Sequence, residues 1–537
     1  MKTSLTLTAI LTGICLGGLA MSTAMGSEDV GQRREKAHKA FTDGNFRVAY
    51  DALRLLLLNK AVVPAVDDLN EAMASLQRLN QTSEIDELLE SAVKTHEGDP
   101  SRWWFLWDVA NQYHQIPHQG FIVAGKFSRG PHRGGDGRPV NTLDRDRVGA
   151  LQLMVQALPN ARKDNDNTKV ARYLQAMARM WMTGRFGQVE SWRLQAKTDL
   201  SLLPDYKEGW GYYWGGRGGQ TQGALVDEQG NPVFYNVPKT FDAAQSDGQR
   251  WRWSLEQAVE FNPGLKNETQ LSLADFLRDQ FDVQTMAAAG WRFGRQGADD
   301  SQEEEEGVFA LPSLGENETI DRLATGIKRF KLPEEFNYIS IYKQVADDAA
   351  KSDLGASALE NLARIFENRR QYPKAADYWR RLIKEHSSSK QAKVWQQQLE
   401  QIEANWGRFE PVMSQPAGQG ATVEYRFRNG TAVELEAYEI KIPKLLEDVK
   451  AYIKGRPPQM DWQKMNIGDL GYRLVTENQK QYLGEKIASW RMEIKPRPRH
   501  FDKRLTVATP LQKAGAYLLI AGSSLVVRRP VVPGRNP

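Results

Sequence analysis

The stretch ALENLARIFENRRQYPKAADYWRRLIKEH, residues 358–386, decides the fold of the longer part of this chain. Its first half places Leu362 and Phe366 at the four-residue spacing of a helix, and its second half places Trp379 four residues after an alanine. The polar residues 368–372 between the halves predict a turn. Two such helices cannot bury their apolar faces alone, so we expect them to stack on neighbouring helices.

The same spacing occurs twice more along the chain, although less clearly. Residues 36–58 contain Gly44 and Asn45 between two apolar stripes, and residues 171–194 contain a third copy. This pattern of small and aromatic residues resembles a tetratricopeptide unit, which is a pair of antiparallel helices. We therefore predict tetratricopeptide-like helical repeats over residues 27–413, in a divergent rather than a regular array.

The chain begins with an apolar run that is typical of exported proteins. Lys2 precedes the apolar residues 5–21, and small residues follow at Ala24 and Gly26. This pattern predicts a signal peptide over residues 1–26, cleaved after Ala24 or Gly26, and its apolar run is too short for a membrane-spanning helix. We expect a periplasmic or extracellular protein without a stable membrane span.

The single cysteine of the sequence, Cys15, lies inside this predicted signal peptide. A lipid anchor at Cys15 is the alternative, but Ile14 stands where a lipoprotein signal requires a small residue. Removal of the signal peptide leaves a chain without cysteine. That would exclude disulfides, a cysteine nucleophile, thiolate metal ligands and an internal thioester.

The composition excludes several classes of protein. Of 537 residues, 41% are hydrophobic and 26% are charged, which excludes a disordered, collagenous or polytopic membrane protein. At about 150 residues per domain, this length suggests three structural units. The 71 basic residues exceed the 67 acidic residues only slightly, so we expect no nucleic-acid partner.

Two segments interrupt the helical pattern. Residues 210–237 form an insertion rich in glycine and aromatic residues, with a predicted hairpin whose tip is at residues 227–231. Residues 299–306 are acidic and polar without an apolar partner. Such a composition predicts a solvated, mobile loop.

The apolar period changes from helical to alternating after residues 414–420, a Pro/Gly/Gln-rich segment that we predict to be a linker. In the segment that follows, Tyr425 and Phe427 alternate with charged residues, as expected for a half-buried strand. Asn429 and Gly430 then predict a tight hairpin into a second strand.

Further alternation predicts one antiparallel β-sandwich over residues 421–527. A change of phase near Ala437 requires a β-bulge, Leu445 belongs to an amphipathic helix, and Trp490 lies on the buried face of a later strand. The fold class predicted from the whole sequence is α + β and multidomain.

Residues 528–537 contain three prolines and three arginines, which predict a disordered tail and resemble the product of an interrupted reading frame.

Three histidines, His114, His118 and His132, could supply imidazoles to a metal. Pro117 interrupts the helix that would place His114 and His118 on one face, and no carboxylate has a fixed ligand spacing. We therefore expect positioned loop or packing histidines and predict no metal site.

Residues 120–126 match the phosphate-binding pattern G-x-x-x-x-G-K. Phe127 stands where a magnesium-binding serine or threonine is needed, and the apolar residues 121–124 are typical of a buried strand. We expect no nucleotide and no other cofactor.

Residues 125–147 form a basic, glycine-rich loop followed by a helix start in which Asp and Arg alternate. One interpretation is a site for an anion or an acidic peptide, and the other is a buried loop whose arginines pair with Asp144 and Asp146. Tryptophans that could form a ligand platform, or lie in the core, are Trp103, Trp104, Trp107, Trp251 and Trp253. No G-x-S-x-G pattern is present, so we predict no catalytic residue and no enzyme.

Several short strings resemble the front end of large bacterial alpha-2-macroglobulin-like proteins. In the helical part they are GKFSRG (125–130), HRGG (132–135), RDR (145–147), LQLM (151–154), SDG (246–248), RWRW (250–253), ETI (318–320) and ATGIKRF (324–330). In the predicted sandwich they are YRFRN (425–429) and KAGAYL (513–518), which resemble the first macroglobulin domain of that family.

The resemblance implies an exported relative of proteins in which a protease cuts a bait segment and stacked sandwiches close around the protease. The family's thioester motif Cys-Gly-Glu-Gln has no counterpart, and a bait segment and later sandwiches have no room after Leu518. We therefore expect a non-enzymatic protein resembling the truncated front end of an endopeptidase inhibitor, not inhibitory alone. The alternatives are an exported helical adaptor that binds a peptide or protein partner, and a hydrolase built on the histidine and glycine loop.

Overall fold

The computed structural model describes residues 27–132, 134–183, 191–209, 223–283, 307–411, 414–455, 459, 461, 474 and 479–522. The chain divides into two units, Met1–Thr269 with Leu323–Thr325, and Gln270–Arg322 with Gly326–Pro537. Three predicted features lie wholly outside the described residues: the signal peptide with Ala24 and Gly26, the acidic loop at 299–306 and the tail at 528–537. Residues 210–222 of the predicted insertion also lie outside them.

The first unit is mainly helical. Its helices are α1 (Ser27–Thr42), α2 (Phe46–Leu57), α3 (Val66–Arg78), α4 (Ile85–His96), α5 (Trp103–Gln112), α6 (Leu143–Ala161), α7 (Asn167–Met182) and α8 (Asp247–Phe261). Its strands are β1 (Gln119–Val123), β2 (Lys126–Arg129), β3 (Arg138–Asn141) and β4 (Lys207–Glu208). The four strands form one antiparallel sheet in the order β2–β1–β3–β4.

Helices α1 to α5 contribute to one hydrophobic cluster because each presents an apolar stripe to the others. In α2, Leu53 and Leu56 are buried, whereas Val48 and Leu55 on its outer face are exposed. The helix pair predicted at residues 36–58 is confirmed as α1 and α2.

The third predicted pair, at residues 171–194, is only half observed. Helix α7 covers its first half, residues 184–190 lie outside the described residues, and a short 3-10 turn at Ser191–Gln195 follows.

The hairpin tip predicted in the insertion is present, where the backbone N–H of Asp227 donates to the carbonyl of Asn231 over 2.8 Å.

A tight hairpin joins β1 to β2. Ala124 and Gly125 adopt φ angles of 48° and 79°, the positive values that a two-residue hairpin turn requires. The strand predicted at residues 121–124 is confirmed except for its last residue. The G-x-x-x-x-G-K match therefore describes a strand and its turn instead of a phosphate-binding loop.

The second unit begins within helix α9 (Lys266–Phe281) and continues with a short hairpin and four helices. These elements are β5 (Glu318–Leu323), β6 (Gly326–Lys331), α10 (Tyr338–Asp348), α11 (Asp353–Asn368), α12 (Tyr372–Glu385) and α13 (Ala392–Glu403). The helix pair predicted at residues 358–386 is confirmed as α11 and α12, with Leu362, Phe366 and Trp379 fully buried. Arg370 (φ 54°) makes the turn between them.

Two three-stranded antiparallel sheets complete the unit. Their strands are β7 (Trp406–Phe409), β8 (Thr422–Arg428), β9 (Ala432–Ile440), β10 (Leu483–Glu493), β11 (Lys503–Ala508) and β12 (Tyr517–Gly522), with helix α14 (Ile442–Lys454) between β9 and β10. The sheet orders are β11–β8–β7 and β10–β9–β12. Tyr425 and Phe427 of the first sheet and Leu435 of the second belong to one hydrophobic cluster.

The hairpin predicted at Asn429 and Gly430 is wrong, because β8 and β9 lie in different sheets. Asn429 has the expected positive φ of 61°, but Gly430 is not among the residues with positive φ. The side-chain amide of Asn429 donates instead to the carbonyls of Ile402 (2.7 Å) and Ala404 (3.1 Å) at the end of α13. These bonds hold the connection between the sheets against the helical part of the same unit.

The β-bulge predicted near Ala437 of β9 is present, but its extra residue belongs to the partner strand, β10. The register steps from Lys486↔Tyr438 to Ala488↔Ala437, which leaves Ile487 of β10 as the inserted residue, 46% exposed. The predicted inward side of β10, with Trp490, is more buried than its outward side, as expected for a half-buried strand.

The change from helix to strand occurs before the predicted linker. Strand β7 precedes residues 414–420 and pairs with β8 after them. Taken together, the described residues form fourteen helices and four small sheets, which is a mixed α and antiparallel β architecture. None of the helices in this part of the chain is long and apolar enough to cross a membrane.

Candidate functional site

The basic loop predicted from the sequence ends in a buried ion pair. Arg129, the last residue of β2, donates from Nη1 and Nη2 to the two carboxylate oxygens of Asp146 on α6 over 2.8 and 2.9 Å. Its Nη2 also donates to Asp86 on α4 over 2.6 Å. The exposed fractions of the Arg129 and Asp146 side chains are 2% and 3%. A bidentate pair in such surroundings is strong and directional.

Asp146 also contacts one of the predicted site histidines. The Nδ1 atom of His118 lies 2.8 Å from Asp146 Oδ2, and the hydroxyl of Thr142 donates to the same oxygen. Burial alone would raise the pKa of Asp146, but hydrogen bonds from His118, Arg129 and Thr142 outweigh it and lower the pKa. Asp146 is therefore ionised at neutral pH and holds the His118 ring in place.

A second buried cluster centres on Asp247, the first residue of α8. Its carboxylate accepts from the backbone N–H of Thr198 (3.0 Å) and from Nη1 of Arg250 (3.1 Å), and Arg147 Nη2 lies 3.5 Å away. Arg250 also lies over the ring of Trp181, 5.1 Å from its centroid. This cluster holds α6, α7 and α8 together.

Asp144 has different partners from those the sequence suggested. One of the two interpretations of residues 125–147 pairs the loop arginines with Asp144 and Asp146, and Arg129 does pair with Asp146. Asp144, in contrast, binds Arg193 over 2.8 Å and the ammonium group of Lys207. Both partners come from much later in the chain. The spacing of residues within a short stretch of sequence does not indicate a pairing over such a separation. Burial would raise the pKa of Asp144, and these cations together lower it.

A small cleft with a volume of about 20 Å³ borders both clusters, because His118 of the first and Arg147 of the second line it. It is lined by Tyr113, His114, His118, Leu143, Asp144, Arg147, Thr183 and Arg193. Burial lowers the pKa of His114, aided by the charge of Arg147, so His114 is neutral at neutral pH. The space suits a water molecule or two, which is too little for a substrate or a peptide side chain.

The third predicted histidine, His132, packs against Phe121, with 5.4 Å between the ring centroids. Among the described residues, no group of three or more His, Cys, Asp and Glu side chains is arranged to hold a metal ion. His118 and Asp146 resemble the base and orienting acid of a hydrolase. In this case the acid also binds Arg129, and the adjoining cleft has little room for a reacting group.

The five predicted tryptophans divide between core and surface, and Trp107 is partly exposed and stacks on Trp103 with 6.5 Å between the ring centroids. Trp251 and Trp253 are 1% and 4% exposed and Trp103 is 2% exposed, so these three belong to the core. Trp104 is partly exposed, and Lys169 Nζ lies 5.1 Å from its ring centroid. This cation occupies the face that a ligand platform would have to offer.

Sequence reasoning found Arg129, Asp146 and His118 but missed Asp86 as a partner of Arg129. It quoted Asp247 only within the string SDG and assigned it no partner. The Asp-Arg alternation of residues 144–147 was the useful signal, because adjacent opposite charges at a helix start indicate partners on several sides. The chain matches no known protein-family model and no curated protein.

Proposed function

We propose that this chain is an exported, non-enzymatic protein that resembles the front end of a macroglobulin-type endopeptidase inhibitor, and that it does not inhibit proteases by itself. Its role would be to bind protein partners, with a protease as the partner in a full-length relative. Its helical part would consist of tetratricopeptide-like repeats and its last domain would be a macroglobulin-like β-sandwich over residues 421–527.

The observation that carries this proposal is that several of the strings behind the resemblance supply charges that pair with one another. GKFSRG supplies Arg129, RDR supplies Asp146 and Arg147, SDG supplies Asp247 and RWRW supplies Arg250 to the two buried clusters. In the second unit, the strings ETI and ATGIKRF supply an ion pair between Glu318 and Arg329, with 2.7 Å between Oε2 and Nη2. Strings that supply paired, buried or partly buried charges are expected of a shared scaffold, and such pairs need no catalytic role.

The β region gives separate support for the sandwich. Its two sheets contribute side chains to one cluster, as the inner faces of a sandwich do. Arg426 and Arg428 from the string YRFRN both bind Asp502, with closest distances of 2.8 and 2.6 Å. These pairs fix the entry to β11, which lies beside β8 in the sheet.

Protease assays with substrates of two sizes test the proposal. The purified mature chain is mixed with several endopeptidases, and cleavage of a small peptide and of a large protein is followed. We expect full protease activity on both substrates and no hydrolysis by the chain alone. Loss of activity on the large protein only would indicate a complete trap, and hydrolysis by the chain alone would contradict the non-enzymatic assignment.

Crosslinking in the exported fraction of the source cell tests the partner class. The proposal expects a crosslink to an endopeptidase or to a protein that carries further sandwich domains. A stable partner of neither kind would favour the helical adaptor. That alternative is favoured by one observation, since Val48 and Leu55 are 63% and 64% exposed and seven residues apart on one face of α2. Substituting both by aspartate would then abolish the crosslink, whereas the macroglobulin-type proposal expects it to persist.

A further inference from the structure

Strand β12 forms one edge of the sheet β10–β9–β12. It pairs with β9 without a shift of register, from Tyr517↔Glu439 to Gly522↔Glu434. Within the part of the chain that the structure describes, no strand pairs with the other side of β12. That side presents backbone N–H and C=O groups in the row that a further strand would bind.

The hydrogen bonds to β9 indicate which backbone groups of β12 point away from the sheet. The N–H of Ile440 in β9 donates to the carbonyl of Ala516, just before β12 begins, over 2.9 Å. In an antiparallel ladder every second residue is bonded to a given neighbouring strand, so Leu518 and Ile520 are bonded to β9. The residues that direct both backbone groups outward are Tyr517, Leu519 and Ala521.

The other edges of the two three-stranded sheets have features that discourage pairing with a further strand. Strand β10 carries the charged side chains of Lys486 and Arg491 and is interrupted by the inserted residue Ile487. Strand β11 begins with a lysine and an arginine, and β7 has only four residues, one of them arginine. Charges, bulges and short length are the means by which proteins protect sheet edges.

Strand β12 has none of these protective features. Its sequence YLLIAG contains no charged residue and no proline, and its register is regular over six residues. Both of its faces are apolar, because Leu519 packs against the cluster that contains Tyr425 and Leu518 packs against the cluster that contains Leu445. Both leucines are only half-buried. An uncharged, regular edge of this kind is suited to pairing with another strand.

We propose that β12 pairs with β12 of a second copy of this chain, antiparallel and about a two-fold axis at Leu519. The two sheets then form one continuous sheet of six strands, in the order β10–β9–β12 followed by β12–β9–β10 of the second copy. This pairing does not depend on any macroglobulin-type role.

The edge of β12 is complementary to itself. A two-fold axis at Leu519 places this residue opposite its counterpart and Tyr517 opposite Ala521, so each outward N–H meets a carbonyl of the other copy. Residues opposite each other in an antiparallel pair point to the same face, so the apolar faces of the two copies become continuous. No like charges meet, because β12 carries none. A charged strand of another protein, in contrast, would bring its charges between apolar side chains.

The substitution Ile520→Lys tests the pairing at the edge. Ile520 lies opposite Glu436 of β9, whose carboxylate already binds Lys486 over 3.0 Å, so a second lysine beside it is compatible with the fold of one chain. In the paired form the new ammonium group would lie opposite the apolar Leu518 of the other copy. Ile487→Lys is the matched control, because Ile487 is 46% exposed on the opposite edge of the same sheet.

Sedimentation equilibrium of the purified chain measures the mass in solution. We expect the wild-type and Ile487→Lys chains to have twice the mass of one chain. We expect Ile520→Lys to raise the dissociation constant of the dimer at least about a hundredfold, because pairing would bury an ammonium group without a partner. A wild-type chain that stays monomeric would overturn the proposal, and so would a dimer that persists in folded Ile520→Lys.

Hydrogen exchange of single amides in the wild-type chain decides the outcome even if Ile520→Lys fails to fold. The amides of Leu518 and Ile520 should be protected at every concentration, because they are bonded to β9. Those of Leu519 and Ala521 should exchange at least about tenfold more slowly at concentrations where the dimer forms than after dilution. Exchange of Leu519 and Ala521 that is independent of concentration would contradict the pairing. A monomeric chain with crosslinks from β12 to a different protein would assign this edge to that protein and overturn the proposal.

Discussion

Arg129 and Asp146 share two parallel hydrogen bonds of 2.8 and 2.9 Å in the interior of the first unit. The pair joins β2 to α6, and the bonds from Arg129 to Asp86 extend it to α4. Three elements that are distant in sequence therefore meet at one guanidinium group. Arg129 in this position mainly stabilises the fold, because removing it would leave the carboxylates of Asp146 and Asp86 without this cation.

The second unit has an equivalent anchor in Asp502. This carboxylate is 7% exposed and binds both Arg426 and Arg428 of β8. We expect Asp502→Asn to lower the free energy of unfolding of the second unit by about 3 kcal/mol, because two guanidinium groups lose a buried carboxylate that both of them bind. Urea unfolding measures the change.

Glu493→Gln is the matched control for that experiment. Glu493 lies on β10, is 74% exposed and pairs with Arg491 over 3.0 Å. An exposed pair contributes below about 1 kcal/mol, so this variant should unfold like the wild type. Equal effects of the two substitutions would show that Asp502 is not an anchor.

Asp108 on α5 gives the first unit a pH dependence of its own. Burial raises its pKa to about 7, although the charge of Lys169 acts against this, and its Oδ2 has no hydrogen-bond partner in the described structure. Because the pKa in the folded chain is higher than in the unfolded chain, stability is lost as the pH rises from 3.8 through about 7. We expect Asp108→Asn to stabilise the chain at pH 8 by on the order of 2 kcal/mol, and to have a smaller effect at pH 4.

Thermal unfolding at the two pH values measures that difference. Asp67→Asn on the exposed face of α3 is the control and should leave both values unchanged. A destabilising effect of Asp108→Asn at pH 8 would mean that the ionised carboxylate is stabilised in the folded chain.

The elements that sequence predicted well are those whose apolar period is local. Helices α11 and α12, the strand before Ala124 and the alternation of β8 all follow from spacing within about ten residues. The helix α14 follows likewise from its apolar stripe. In each of these elements, burial of one face is enough to select the structure.

The features that sequence missed depend on pairing over long distances. Asn429 and Gly430 have the composition of a hairpin turn, yet the side chain of Asn429 binds the end of α13 and β9 joins another sheet. Asp144 binds Arg193 and Lys207, both later in the chain. Contacts of this kind leave no periodic pattern, so a single sequence does not reveal them.

Export can be tested on the mature protein. Lys2, the apolar run and the small residues at Ala24 and Gly26 predict that the chain loses its first 24 or 26 residues. Mass spectrometry of protein from the exported fraction should find an N-terminus at Met25 or Ser27. Recovery of the chain with Met1 from the cytoplasm would rule out export.

The central claim is that Arg129 and Asp146, which lie in the part of the sequence that could form a binding site, instead stabilise the interior of the first unit. Arg129→Met tests it most directly, with Arg138→Met on the same sheet as the control, since Arg138 is 58% exposed and pairs with the exposed Glu208. In urea unfolding, we predict that Arg129→Met lowers the free energy of unfolding by about 3–5 kcal/mol and that Arg138→Met lowers it by less than about 1 kcal/mol. Unfolding of Arg129→Met at the wild-type urea concentration would contradict the account.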